Sequence, residues 1–176
     1  MKNVRFDRLT VEITSGNIVE QDDCEAIVNA ANAQLRSGGG VAGAIHSMGD
    51  PELEELTRPL APIEPGEAVI TEAPNMPFKY VIHCLGPVYG EDEPADELLA
   101  NCYSNALKLA DEHEVDSIVF PSISTGAFGY PMREAATIAF ETIKKMAPDL
   151  RSVSYVRFAL WSPADYNLHL EVLKEM

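Results

Sequence analysis

The sequence predicts an α/β domain: a mostly parallel sheet covered by helices on both faces. Three observations carry that prediction. Short apolar runs rich in β-branched residues, such as Ala26-Ile27-Val28 and Ser117-Ile118-Val119-Phe120, alternate along the chain with helical patterns. Two of these runs open into loops of glycine and hydroxyl residues, Gly38-Gly39-Gly40 and Ser122 to Gly129, each followed by a helix. At 176 residues the chain is long enough to bury a sizeable core and short enough for one domain, so residues 1–176 are read as a single unit.

Taken in order, Leu9 to Thr14 (LTVEIT) alternates apolar and polar residues and reads as an edge or half-exposed strand, open to antiparallel pairing and broken by Ser15-Gly16-Asn17-Ile18. Ala26-Ile27-Val28 reads as a fully buried strand whose exit carries the amides Asn29 and Asn32, placed where ligands sit in open α/β sheets, ahead of the glycine triplet and a small-residue helix. Asp50 as cap and Pro51 as first residue start a second helix through Arg58, and Pro59, Pro62 and Pro65 keep the next stretch extended. Glu67 to Thr71 and Lys79 to Leu85 are two further strands. Ala95 to Glu114 is the clearest amphipathic helix, with Leu98, Leu99, Cys102, Ala106, Leu109 and Ala110 on one face. A helix from Met132 to Met146 and a last strand from Val153 to Leu160 follow. Ser162-Pro163-Ala164-Asp165 matches a capping box that opens a closing helix ending near Lys174.

Composition excludes several classes of function. No apolar run approaches a membrane span and the N-terminal residues lack the apolar centre of a signal peptide, so the expected location is the cytoplasm. With 28 acidic residues against 13 basic ones, the formal charge of -15 repels a nucleic-acid backbone over most of the surface. An anionic ligand must therefore be held by local N–H groups and dipoles. Cys24, Cys84 and Cys102 show no metal spacing and read as buried reduced thiols.

No phosphate-loop motif ending in Gly-Lys-Ser/Thr and no G-x-S-x-G elbow around Ser122 or Ser124 is present. His46, His83, His113 and His169 lack partners at zinc-site spacing and read as structural or surface residues, so neither a metal nor a cofactor is expected. What remains is two glycine-rich loops whose backbone N–H groups, at the opening of helices, suit a phosphate; ordinary flexible turns are the competing reading.

AIVNAAN at Ala26 to Asn32, GGGVAGAI at Gly38 to Ile45, YVIHCLGP at Tyr80 to Pro87 and FPSISTGAFGYP at Phe120 to Pro131 together resemble the macrodomain family of ADP-ribose-binding modules. The resemblance covers essentially the whole chain. It implies a three-layer α/β/α sandwich around a mixed, mostly parallel sheet of about six strands, with the ligand across the carboxyl ends of the central strands. It implies Asn32 at the distal ribose, helping to place an attacking water. Gly38, Gly39, Gly40 and Val41, with Gly43 to Ile45, would line the distal ribose and diphosphate. Ser124, Thr125, Gly126, Ala127 and Phe128 would supply N–H groups to the diphosphate, Phe128 also walling in the ribose. Trp161 would stand against the adenine, with a core or rim tryptophan as the competing role.

Two departures accompany the resemblance. Where the family usually has Gly-Asp-Ile, this chain has Gly16-Asn17-Ile18, so the acceptor facing the adenine amino group is neutral. Where the hydrolase subgroup carries an aspartate, this chain has Ala42. Two functions follow: hydrolysis of mono-ADP-ribose esters, on ADP-ribosylated protein or O-acetyl-ADP-ribose and dependent on Asn32 and Phe128, or a module that binds ADP-ribose without turnover. Hydrolysis of modest rate is the favoured expectation.

Overall fold

A computed structural model describes residues 2–176. Its strands are β1 (Lys2–Phe6), β2 (Leu9–Ser15), β3 (Ala26–Ala30), β4 (Ala68–Glu72), β5 (Tyr80–Cys84), β6 (Ser117–Phe120) and β7 (Tyr155–Leu160). Its helices are α1 (Gly40–Gly49), α2 (Glu52–Thr57), α3 (Ala95–Glu112), α4 (Met132–Met146) and α5 (Pro163–Lys174), with short 3-10 turns such as Ile18–Glu20. One seven-stranded sheet runs in the order β1-β2-β7-β6-β3-β5-β4. The five inner strands are mutually parallel, while β1 and β4 close the two edges antiparallel to their neighbours.

Alternate residues of the inner strands feed two cores, as the two-residue period of a strand requires. Val28, Ile118, Phe120, Val156 and Phe158 pack with α3, α4 and α5 on one face. Ile27, Val81, Val119 and Ala159 pack with Ile18 and with Ile45 of α1 and Leu53 of α2 on the other. This is the three-layer α/β/α arrangement, with helices covering a sheet too apolar to face water on either side.

The sheet has one strand more than expected, and the difference lies at its N-terminal edge. Lys2–Phe6 pairs with β2 through a tight turn in which Asp7 takes a left-handed φ of 59°. Its exposed Lys2 and Arg5 are what an edge strand carries against edge-to-edge pairing, and those charges hide the strand from a periodicity reading. Leu9–Thr14 is therefore half-exposed rather than an edge strand: buried and partly buried residues alternate along it, and it pairs antiparallel with β1 on one side, as expected, and parallel with β7 on the other. Asp50 also differs from expectation. It ends α1, its N–H donating to the His46 carbonyl, and Pro51 rather than Asp50 is the cap residue directly before α2, although Asp50 Oδ1 still accepts from Glu54 N–H at 3.1 Å. The Ser162 cap is as expected, its hydroxyl oxygen accepting from Asp165 N–H.

Because the five inner strands are parallel, their carboxyl ends share one edge of the sheet. The segments leaving them follow the sheet order: Gly16-Asn17 after β2, Trp161 after β7, 121–131 after β6, 31–39 after β3 and 85–94 after β5. No helix among the described residues is long and apolar enough to cross a membrane.

Candidate functional site

The loop after β3 is shaped by Asn32. Its Oδ1 accepts from Arg36 N–H at 3.1 Å and its amide donates to the Arg36 carbonyl at 2.7 Å, so the side chain clasps the loop shut. One N–H and one lone pair of that amide stay uncommitted. The loop ends at Gly39, which precedes α1 without any side-chain cap, and no acidic residue stands in the first turn. The opening N–H groups of α1 are therefore free, at the positive end of the helix dipole. Gly40 holds a left-handed φ of 55° with open space around it. Gly43, one turn further, lies so close to the loop that a Cβ there would sit 2.5 Å from the Gly38 carbonyl oxygen. A side chain at 43 would push the loop off the helix.

The loop after β6 is held by its own backbone. Tyr130 N–H donates to the Ser124 carbonyl at 2.8 Å and Gly129 N–H to the Gly126 carbonyl at 3.0 Å. Thr125 donates its hydroxyl to Ser122 at 2.8 Å. Ser124 takes a left-handed φ of 66°, a strained choice for a residue with a side chain, and its hydroxyl is buried without a partner. Gly126 and Ala127 are exposed, and no atom lies within 4 Å of where a Cβ on Gly126 would stand.

Charge is distributed unevenly over these loops. Residues 31–49 contain one formally charged side chain, Arg36, and residues 121–131 contain none, in a chain whose net charge is -15. The expected binding residues thus lie on a carboxylate-free stretch of a strongly acidic protein.

The structure brings most of the expected residues to one edge. Asn17 and Trp161 stand together at the β2–β7 end, joined by the hydrogen bond from Gly16 N–H to the Leu160 carbonyl. Asn17 Oδ1 accepts from Val19 N–H at 3.2 Å and so caps the 3-10 turn at Ile18–Glu20. Trp161 is 77% exposed, a rim residue standing free. Two residues are not brought to the surface: Ile45 is fully buried in the core, and Ile18 is nearly so. Ile45 lies within α1, beyond its open first turn, and Ile18 in the 3-10 turn that Asn17 caps.

Asn29, read from the sequence as facing a ligand at the strand exit, is fully buried. It is 3.1 Å from His83 Nδ1, and His83 Nε2 is 3.0 Å from the Thr71 hydroxyl. Burial, and secondarily the neighbouring His46, push the His83 pKa down to about 3, so its ring is neutral. Asn29 then donates to Nδ1, and Nε2–H donates to Thr71, whose own hydroxyl donates to the Glu72 carbonyl. Beside it, His46 Nδ1 lies 2.8 Å from Asp50 Oδ1. Three of the four histidines are core residues and His113 is exposed.

The loop after β5 is a participant that sequence reading left without a role. Gly86 lies so close to the β6 loop that a Cβ there would fall 2.0 Å from the Ser124 hydroxyl oxygen. Tyr89 N–H donates to the Phe128 carbonyl at 2.8 Å. The Gly-Pro at 86–87 was the only local signal for this contact.

Comparison with known proteins agrees with this geometry. A family model described as Macro domain matches residues 28–139. A macro domain-containing protein of Chlorobaculum tepidum is 44% identical over 172 residues, covering 97% of this chain and 96% of that protein. A protein of Pantoea vagans named O-acetyl-ADP-ribose deacetylase 1 is 39% identical, with 93% and 98% covered. The solved structure of the Oceanobacillus iheyensis macrodomain with ADP superposes with a TM-score of 0.92 at 40% identity, covering 99% of this chain and 95% of that one.

Proposed function

The chain belongs to the macro domain family, and from that premise we propose that residues 1–176 form one macrodomain that binds ADP-ribose and slowly hydrolyses mono-ADP-ribose esters. One observation carries the binding half: two loops with open N–H groups and no carboxylate stand on neighbouring strands of an otherwise acidic protein. A diphosphate between them meets donors and no like charge. Adenine then lies toward Asn17 and Trp161, and the distal ribose toward Asn32, Gly38 to Val41, Gly43 and Phe128, with Ser124 to Ala127 beneath the phosphates. ADP in the Oceanobacillus relative and the Pantoea relative's name support the ligand.

For hydrolysis, Asn32 and the wall at Phe128 hold a water against the ester: its oxygen bonds to the ester carbonyl carbon as its proton passes to the substrate's own diphosphate. The bond from that carbon to the ribose oxygen then breaks, its electrons staying on the ribose oxygen, which takes up the proton as the free carboxylate departs. General-base help is worth about a hundredfold or more, and with Ala42 buried where a carboxylate is missing, turnover is slow. That same gap favours a second reading, a module that binds without turnover.

Calorimetry with ADP-ribose tests binding. Loss of label from mono-ADP-ribosylated protein and acetate release from O-acetyl-ADP-ribose test turnover. Asn32→Ala should lower turnover more than affinity, and Ala42→Asp should raise turnover or, by repelling the diphosphate, weaken binding. Tight ADP-ribose binding with no release on either substrate leaves the binding module.

A further inference from the structure

Beside the Phe128 end of the site stands an exposed aromatic ring that the fold does not require. Tyr89 is 49% exposed. Its ring rests on Tyr130 with centroids 4.8 Å apart and planes at 55°, and Tyr130 itself is buried. The turn that carries Tyr89 is held from several directions. Tyr89 N–H is tied to Phe128, Val88 N–H donates to Asp92 Oδ2 at 2.8 Å, and Asp92 N–H donates to the Val88 carbonyl at 2.9 Å. A rigid aromatic with two rotatable bonds, standing in water, is a low-cost contact surface.

The charges around it are of one sign. Residues 85–97 include Glu91, Asp92, Glu93, Asp96 and Glu97 and no lysine or arginine. None of those five, nor Glu134, forms an ion pair among the described residues, and the nearby Arg133 is engaged by Glu171 and Glu175. Burial, then Asp96 and more weakly Tyr89, Glu134 and Glu93, raise the Tyr130 phenol above its ordinary range, which places those acids about the ring pair. The carboxylate-free loops stop where this acidic, aromatic rim begins.

We propose that Tyr89, backed by Tyr130 and rimmed by the acids of residues 91–97, receives a lysine- or arginine-bearing stretch of the polypeptide to which ADP-ribose is attached. The inference rests on the reading that the adjoining loops hold ADP-ribose with its distal ribose at Asn32 and Phe128. The modified side chain leaves from that ribose, so the polypeptide emerges next to Phe128, where Tyr89 stands. A cation over the Tyr89 face is drawn by the ring and by unneutralised carboxylates together. Free ADP-ribose makes no use of the rim.

The test uses two synthetic peptides of equal length, each bearing one ADP-ribose through a non-hydrolysable linkage, flanked by lysine and arginine in one and by serine and glycine in the other. Their affinities and that of free ADP-ribose are measured for wild type, Tyr89→Ala, Tyr89→Phe and the double variant Glu93→Gln/Asp96→Asn. Wild type should prefer the basic peptide by about fivefold to tenfold at low salt. Tyr89→Phe should keep that preference, while Tyr89→Ala and the acid-neutralised variant should reduce it toward parity. Free ADP-ribose affinity should stay within about twofold throughout, because Tyr89→Ala keeps the N–H that holds Phe128. Equal affinity of wild type for the two peptides overturns the inference, as does a preference that survives both variants. If Tyr89→Ala weakens free ADP-ribose as much as the peptides, the ring belongs to the nucleotide site and the inference again fails. Wild type that binds no ADP-ribose fails at the earlier step and overturns the functional reading with it.

Discussion

At the edge where the parallel strands begin, Arg157 reaches Asp23 through two bonds of 2.6 and 2.8 Å, Gln21 at 2.9 Å and the Tyr155 hydroxyl at 2.9 Å, while Tyr155 in turn donates to Glu12. Nearby, Asp111 gathers the N–H groups of Arg151, Ser152 and Val153 at 2.7 to 3.1 Å. At the edge where the same strands finish, the Ser124 hydroxyl has no partner among the described residues, and α1 has no side-chain cap and no acid in its own first turn. One edge satisfies its polar groups internally, and the other leaves donors open. Polar groups that complete one another hold a fold, whereas donors left open define a place for a ligand.

The sharpest way to break this contrast is to put an acid among the open donors. Gly126→Glu meets no atom within 4 Å at its Cβ, so the fold should tolerate it, but its charged side chain takes the place proposed for the diphosphate. Calorimetry should show no detectable ADP-ribose binding while the melting temperature stays near that of wild type. Retained binding would put the site elsewhere.

The opposite edge should respond in the opposite way. Arg157→Met leaves Glu12 and Asp23 without their cation. Removing one member of a buried ion network typically costs 3–5 kcal/mol; the Asp23 side chain is 63% exposed, so the lower end, about 3 kcal/mol, is expected in urea unfolding. ADP-ribose affinity of the folded fraction should be unchanged. A variant as stable as wild type would mean that the network is replaceable by packing.

Between these edges, legibility in the sequence followed the range of the interactions. Ser117–Phe120, Met132–Met146 and the Ser162-capped last helix are specified by residues a few positions apart, and the structure has them as read. The two glycine loops were legible for the same reason, since strand, glycine and helix follow one another directly. What was hidden depends on partners distant in sequence. Asn29 meets His83 only because β3 and β5 pair in that register, so a buried amide looked like a ligand contact. Arg157 and Asp23 are 134 positions apart. Gly86 touches Ser124 across two strand ends, and β1 was obscured by the charges that suit it to an edge.

The buried His83 offers a pH test of the interior beneath the open edge. Its folded pKa of about 3 lies below the ordinary 6.5, so the unfolded chain takes up the extra proton as pH falls. Its contribution to stability is complete above pH 6.5 and is lost progressively from there toward 3. His169, also lowered by burial, acts in the same direction. Asp23 is lowered first by its hydrogen bond to Arg157, so its share is lost only below the carboxylate value of 3.8. Urea unfolding at pH 7 and pH 5 should show wild type losing about 2 kcal/mol more than His83→Gln, from a slope of about 1.4 kcal/mol per pH unit over the window. Equal losses would mean that His83 is protonated in the folded protein.

The smallest effect concerns the adenine end, where the open edge has a neutral acceptor. Asn17 Oδ1 caps Val19 N–H at 3.2 Å, a role that an aspartate keeps, so Asn17→Asp should leave the melting temperature nearly unchanged. It would bring a carboxylate close to the two loops that carry none, 31–39 and 121–131. The adenine amino group donates, and the corresponding oxygen of hypoxanthine accepts. A charged acceptor should therefore improve discrimination between ADP-ribose and its inosine analogue by about 1 kcal/mol, roughly fivefold in the affinity ratio. Repulsion between the new charge and the diphosphate is common to both ligands and cancels in the ratio, though it lowers both affinities. The ratio, not either affinity alone, is therefore what competitive calorimetry should follow. An unchanged ratio with both affinities reduced would place residue 17 within the field of the phosphates but away from the base, and would leave Trp161 as the remaining candidate contact to adenine.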